Sequence, residues 1–265
     1  MTLLLDIGNT HTHLGWANAA GIRKTRDIDT AEVLQGQLAR SLKVWIGSRI
    51  PDHVALCSVV PAAIQPTQTA LRKAIGREAV VLAPDTLPRD LLTLRYPRPE
   101  TIGTDRIANA IAARHLFGGP VIAIDFGTAT TFDVVDARGR FIGGVIAPGI
   151  SALADYLHEK TAQLPRIQLL EPRAAIGRST IEAMQVGTMV GYRGLIREVL
   201  QGIREQLGDD GVKVVATGGY ARPVTRHLPE IKQVYPHLTL EGLRRFAEAV
   251  DAGGRDGRRQ PRGIR

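Results

Sequence analysis

The chain carries a single cysteine, Cys57, in 265 residues. One thiol excludes an intramolecular disulfide and any metal site built on a cysteine cluster, and it fits a reducing compartment, here the cytoplasm. Long apolar runs are also missing. No stretch approaches the roughly 18 uninterrupted apolar residues of a membrane span. Met1 to Leu5 meets Asp6 without the basic segment and long apolar run of a secretion signal, so neither a span nor a signal peptide is expected. Two nucleotide signatures are absent as well: G-x-x-x-x-G-K-[ST], and G-x-G-x-x-G behind a strand. Their absence argues against P-loop NTPases and dinucleotide-dependent dehydrogenases.

What is present describes a folded chain. It is 44% hydrophobic and 23% charged, and its 28 glycines and 15 prolines are spread along it rather than gathered in one linker. The net charge of +8 raises the question of nucleic acid. About half of that excess lies in A-G-G-R-D-G-R-R-Q-P-R-G-I-R at 252–265, which has no apolar periodicity and reads as a disordered, solvated tail. Nucleic acid is therefore not an expected partner.

Leu3-Leu4-Leu5 stops at Asp6 and alternation resumes from His11 to Trp16, which predicts two strands joined by the tight turn D-I-G-N-T. Spacing predicts a helix over 31–46, an apolar strand over 54–60 ended by Pro61, a helix over 62–75 and a strand over 79–82, the alternation of a layered α/β domain. Residues 84–101, rich in proline and polar groups, read as a long loop. A helix follows from Gly103, with Thr104 or Asp105 placed to cap it, and Gly118-Gly119-Pro120 ends it. Strand 121–124 again stops at an aspartate, in D-F-G-T-A-T-T. A hairpin over 132–135 and 141–146, helices at 151–160 and 179–207, a strand over 212–216 and a helix over 239–249 complete the pattern. Met184, Met189, Leu195 and Val199 are candidates for an interface between two copies, although a domain core would give the same spacing.

Aligning residues 3–12 with 122–131 superimposes Asp6 on Asp125, Gly8 on Gly127 and Thr12 on Thr131, each behind an apolar strand. A repeat about half a chain long reports two related domains, 1–117 and 118–250, followed by the basic tail 251–265. Glycine in such a turn permits positive φ and lets backbone amides approach a phosphate, and the flanking Asn and Thr side chains add donors. The aspartate at the strand end can hold a cation against polyphosphate charge. Two such turns facing each other would grip an ATP triphosphate. A single D-x-G-x-T is equally an ordinary β-turn; its duplication behind matching strands separates the readings. Gly218-Gly219, behind strand 212–216, either admits a nucleobase or ribose or makes a tight strand-to-helix turn.

Five stretches then occur in one order: D-I-G-N-T at 6–10, G-T-D-R-I-A-N-A at 103–110, I-D-F-G-T-A-T-T-F-D at 124–133, G-G-V-I-A-P-G at 143–149 and A-T-G-G at 216–219. With I-G-R-S-T-I-E-A-M-Q at 176–185 and L-T-L-E-G-L-R at 238–244, the chain resembles the type III pantothenate kinases over nearly its whole length except the tail. The resemblance implies an α/β fold of two duplicated ribonuclease-H-like (actin-type ATPase) domains, with mixed sheets flanked by helices and a cleft between them. It implies transfer of the ATP γ-phosphoryl group to the primary hydroxyl of pantothenate, the first step of coenzyme A biosynthesis, by a homodimer that needs Mg²⁺ and K⁺ or NH₄⁺.

By the same resemblance Asp105 is the base and Asp125 the monovalent-cation ligand; the strand-end position of Asp6 in the first turn makes it the Mg²⁺ ligand. ATP falls to Asp6, Ile7, Gly8, Asn9, Thr10, His11, Thr12, His13, Thr128, Gly218 and Gly219, and pantothenate to Tyr96, Gly103, Thr104, Asp105, Arg106 and Thr180. The chemistry agrees, since phosphoryl transfer uses a carboxylate to orient the attacking hydroxyl and a guanidinium pairs well with a substrate carboxylate. Without the resemblance, Asp105 is an N-cap and Arg106 a surface charge.

The chain departs from the family at His11, where a second Asn is usual; histidine still donates to phosphate. His11 and His13 lack further ligands for a metal and read as strand residues. Trp16 and Trp45 read as core, and Cys57 as a small buried hydrophobe. Two other functions stay open: a nucleotide-binding accessory protein using the basic tail, and a kinase for another small hydroxylated substrate.

Overall fold

Leu3, Leu4, Leu5 and Ile7 are all fully buried, which requires cover on both faces of the strand that carries them. The computed structural model describes residues 1–256 and divides into two units, residues 1–116 with the segment from His237 onward, and residues 117–236.

In the first unit β1 (Thr2–Ile7), β2 (His11–Asn18) and β3 (Gly21–Asp29) form an antiparallel meander. Helices α1 (Thr30–Leu34) and α2 (Leu38–Ile46) lead to β4 (His53–Ser58), parallel to β1 on its other side. Then α3 (Pro61–Ile75) leads to β5 (Val80–Val81). The sheet order is β3-β2-β1-β4-β5. Leu3, Leu5, Ile7, Leu14 and Trp16 pack with Val33, Leu42, Trp45 and Leu71 in one cluster, so both tryptophans are core. Burying each of the large aliphatic side chains contributes roughly 1.5–3 kcal/mol. The single helix expected over 31–46 is two helices, because Gly36 adopts φ +75° between them. The expected loop 84–101 contains a short strand β6 (Thr93–Leu94) and a 3₁₀ turn at Pro99–Thr101, after which α4 runs from Thr104 to Phe117.

The second unit repeats this plan. Strands β7 (Val121–Phe126), β8 (Ala129–Val135) and β9 (Arg140–Pro148) form the meander. They are followed by α5 (Ile150–Lys160), α6 (Thr180–Leu207), β10 (Lys213–Thr217), α7 (Ala221–Thr225) and β11 (Gln233–Val234). Within the unit the strands run β9-β8-β7-β10-β11, with β10 parallel to β7, the same order and sense as in the first. Met189 of α6 packs in this unit's own core with Phe126, Phe132 and Tyr192, the partly buried Leu195 and Val199 pack against it, and Met184 is buried, so the spacing of these four serves a domain core.

Helix α8 (Leu238–Asp256) belongs to the first unit, not to the second as expected, and it outruns the expected end at 249. Its residues explain why: it packs on β1 and β4, and Leu240 reaches Gly15. A Cβ on Gly242 would collide with the backbone carbonyl of Ala108 in α4. The buried Glu241 and Arg244 satisfy one another in a bidentate pair. Of the expected tail, residues 257–265 lie outside the described residues. Among the described residues no helix is long and apolar enough to cross a membrane.

The two kinds of helical glycine should respond with opposite signs to alanine. Gly242→Ala must displace the α4 backbone and should lower the melting temperature, with a loss of about 1–3 kcal/mol. Gly202→Ala, in the exposed part of α6 with nothing within 4 Å of the added Cβ, should raise stability by about 0.5–1 kcal/mol. Thermal and denaturant unfolding of both variants checks this.

Candidate active site

Asp6 is the next-to-last residue of β1, and the parallel register sets it beside Cys57 of β4. The Cys57 thiol donates to Asp6 Oδ1 at 3.3 Å. Helix α4 starts at the same strand ends, because the Thr104 hydroxyl accepts from the Ser58 amide at 2.9 Å and donates to the Ser58 carbonyl at 3.1 Å. Thr104 is therefore a tie between helix and strand. The next residue, Asp105, lays its carboxyl over Gly103, where a Cβ would stand 2.6 Å from Oδ1. That oxygen also accepts from the Arg106 amide at 2.8 Å.

Burial pushes the Asp105 carboxyl above its ordinary range, against the lowering effect of the Arg106 amide and guanidinium. Arg106 is itself buried, at 8% exposure. Burial, then the charges of Asp6 and Asp105, pushes the Cys57 thiol well up. Cys57 is thus more than a small hydrophobe: it is a neutral donor within the field of two carboxylates.

The first turn closes with the Gly8 amide on the His11 carbonyl at 3.0 Å. Asn9, Thr10 and His11 are exposed at its tip, whereas Ile7 and Thr12 are fully buried. Their side chains serve the interior: Ile7 lies in the core cluster, and the Thr12 hydroxyl meets that of Thr30 at 3.0 Å. His13 Nδ1 lies 2.7 Å from Asp27 and His11 Nε2 3.8 Å from Asp29, both on β3. Among the described residues no group of three or more His, Cys, Asp or Glu side chains is placed to hold a metal ion.

The second unit makes the corresponding arrangement. Asp125 is next to last in β7, in register with Thr217 at the end of β10. Gly218 follows at φ +91°, and a Cβ there would collide with Asp125 Oδ1 and stand 2.7 Å from Phe126. Gly218 is therefore demanded by packing on the Asp125 strand, while Gly219 is exposed with open space above it. The turn closes with Gly127 N on Ala129 O at 3.1 Å, and Thr128 is exposed. Gly149, at the start of α5, donates to the Thr128 carbonyl at 3.1 Å; a Cβ on it would strike the Gly127 and Thr128 carbonyls.

Two expectations need correction. Neither Gly8 nor Gly127 has positive φ; Gly8 is needed because a Cβ would press on His11 O at 3.0 Å. The repeat alignment is also one residue off after the turn. Ile7 pairs with Thr12 and Phe126 with Thr130, so the counterpart of Thr12 is Thr130, not Thr131. The first turn holds one more residue, which no alignment without a gap can register. Both counterparts are fully buried. Thr130 bonds to the hydroxyl of Tyr192 on α6, where burial and the Asp125 charge push the phenol up to about 12.

Asp6 to His13, Tyr96 and Gly103 to Arg106 thus lie in the first unit, and Asp125, Thr128, Thr180, Gly218 and Gly219 in the second. Tyr96 is partly exposed in the loop before the 3₁₀ turn, and Thr180 is exposed as the first residue of α6, which Ser179 caps at 3.2 Å. Cys57, Thr30, Tyr192 and Gly149 were not legible as site residues. Only Gly149 carried a signal, as the last residue of G-G-V-I-A-P-G.

The family model described as type III pantothenate kinase matches residues 2–202. A type III pantothenate kinase of Methylacidiphilum infernorum is 40% identical over 250 residues, covering 94% of this chain and 88% of that protein. One of Streptomyces avermitilis is 41% identical over 258 residues, covering 92% and 96%. Among solved structures, the activator of the 2-hydroxyisocaproyl-CoA dehydratase from Clostridium difficile, with bound ADPNP, aligns with TM-score 0.53 at 12% identity over 100% of this chain and 99% of that one. Ethanolamine utilization protein EutJ from Carboxydothermus hydrogenoformans aligns with TM-score 0.52 at 17% identity, covering 92% and 89%. These structural likenesses concern the fold alone, and they agree with two duplicated units of mixed sheet flanked by helices.

Because Cys57 is buried and held as a thiol, it should resist Ellman's reagent in the native protein across neutral and mildly alkaline pH, and react fully after denaturation. Stoichiometric labelling of the native protein at pH 8 would contradict this placement.

Proposed function

The chain belongs to the type III pantothenate kinase family, and from that premise we propose how its residues divide the work of ATP-dependent phosphorylation of pantothenate, the first step of coenzyme A biosynthesis. The observation that carries the assignment is Asp105, a partly buried carboxylate at a helix start, raised in pKa and beside a buried guanidinium. Asp105 orients the primary hydroxyl of pantothenate and takes its proton as that oxygen bonds to the γ-phosphorus. The bond to the bridging oxygen breaks and ADP leaves. A raised pKa suits a base that must hold the proton it receives. Arg106 pairs with the substrate carboxylate, and Tyr96, Gly103, Thr104 and Thr180 complete the acceptor positions.

ATP phosphates fall to the exposed tip of the first turn, through Asn9, Thr10, His11 and the amides around Gly8, and to Thr128 of the second. The open face of Gly219 suits a flat adenosine group. Bound Mg²⁺ would neutralise charge on the β- and γ-phosphate oxygens. Asp6 is the side chain assigned to it. A single carboxylate fits, because Mg²⁺ takes most of its ligands from water and phosphate, and no cluster of three protein ligands occurs among the described residues. Asp125 is assigned to K⁺ or NH₄⁺. We place the enzyme in the cytoplasm as a homodimer. Exposed Ile146, Tyr156, Ile176, Ile181 and Val190 of the second unit support self-association.

Asp105→Asn should cut kcat by about 10²–10⁴-fold and at the same time raise the melting temperature at neutral pH. The sign follows from the raised folded pKa: above it the buried carboxylate is charged at a cost that the unfolded chain does not bear, and this cost disappears as pH falls through the folded value. On the acidic side, wild-type kcat/KM should fall with a midpoint above the ordinary aspartate range. Phosphopantothenate production by wild type no greater than by Asp105→Asn, with Mg-ATP and K⁺ present, would refute the assignment.

Sedimentation equilibrium should give twice the 28.7 kDa chain mass, and Ile181→Glu combined with Val190→Glu should shift it toward the single chain.

A further inference from the structure

Thr30 is fully shielded, at 1% exposure, and stands at the start of α1, where β3 delivers it back to the first turn. Its hydroxyl donates to the Gly8 carbonyl at 2.7 Å. Since that proton is spent on Gly8, the Thr12 hydroxyl is the donor in the 3.0 Å contact between the two threonines. The Thr30 amide donates to the Thr10 carbonyl at 3.0 Å. One residue thereby holds the start, the tip and the far side of the turn.

We propose that Thr30 is a positioning residue for phosphate binding, acting through the orientation of the Gly8 and Thr10 carbonyls. An anion site requires backbone amides to face the ligand and carbonyl oxygens to face away from it. Thr30 draws two carbonyl dipoles of the turn toward the protein interior and leaves Asn9, Thr10 and His11 exposed on the other side. Being buried and engaged, the Thr30 hydroxyl does not itself touch ATP. In the second unit Thr130, the counterpart of Thr12, is held by Tyr192, and Gly149 repeats the amide bond, to the Thr128 carbonyl, with no side chain to add a second, so the hydroxyl bond to the turn is particular to the first unit. The proposal rests on the reading that the first turn binds ATP phosphates.

The test compares Thr30→Val, which keeps the shape without the hydroxyl, with Thr30→Ser, which keeps the hydroxyl. The affinity for a nonhydrolysable ATP analogue is measured by calorimetry with Mg²⁺, and KM is measured for both substrates. Loss of one hydrogen bond and release of the buried carbonyl should weaken analogue binding and raise the KM for ATP about tenfold in Thr30→Val. Thr30→Ser should stay near wild type, and the KM for pantothenate should not move in either.

Equal analogue affinity in Thr30→Val and wild type, or a parallel rise of both KM values, overturns the proposal. Asn9→Ala separates the underlying reading: if it leaves analogue affinity intact, the turn is not the phosphate site; if it weakens affinity while Thr30→Val does not, only the role of Thr30 fails. Should Thr30→Val not fold, hydrogen exchange of the wild-type Thr30 amide decides. It should slow further when the analogue is added, and an unchanged rate rejects the coupling.

Discussion

A parallel pair of buried strands, ended by a carboxylate, is the constraint on which the rest of each unit depends. The central strand is covered on both faces, so every residue before the aspartate must be apolar; Leu3 to Leu5 and Val121 to Ile124 are. A charge becomes affordable only where the sheet stops, and Asp6 and Asp125 stand there, in register with Cys57 and Thr217. Ligands of open α/β sheets gather at the carboxyl ends of parallel strands for this reason. The turns, the start of α4 and the Gly218 bend are all attached to those ends.

Close approach, more than conformational freedom, governs the glycines around them. Gly103 makes room for the Asp105 carboxyl, Gly149 lies under the second turn, and Gly242 lets α8 settle on α4. Gly218 alone of these combines a positive φ with a crowded site. In each case a methyl group would displace backbone, which gives way far less readily than a side chain.

The first unit accepts an electrostatic penalty at the site it builds. Asp105 is buried enough to raise its pKa, and Cys57 is held neutral between two carboxylates. Such groups weaken the fold where they stand, and the apolar cluster of β1, β2 and the α1–α3 layer offsets them. A base that releases its charge readily to an incoming proton is what phosphoryl transfer asks of that position.

Hydrophobic runs, proline and glycine breaks, and the D-x-G repeat determined from sequence alone that the chain has two related α/β halves, where each buried strand ends, and that Asp105 and Arg106 open a helix. Those features are local, written in residues a few positions apart. What the tertiary structure decided depends on residues far apart in the chain. Helix α8 joins the first unit through Gly242 and Ala108, Thr30 reaches back to Gly8 and Thr12, and Cys57 meets Asp6 across a parallel register. The extra residue of the first turn shifts Thr12 onto Thr130. No periodicity records such meetings, because strand pairing and helix docking bring residues together through space, and a sequence fixes that only by way of the whole fold.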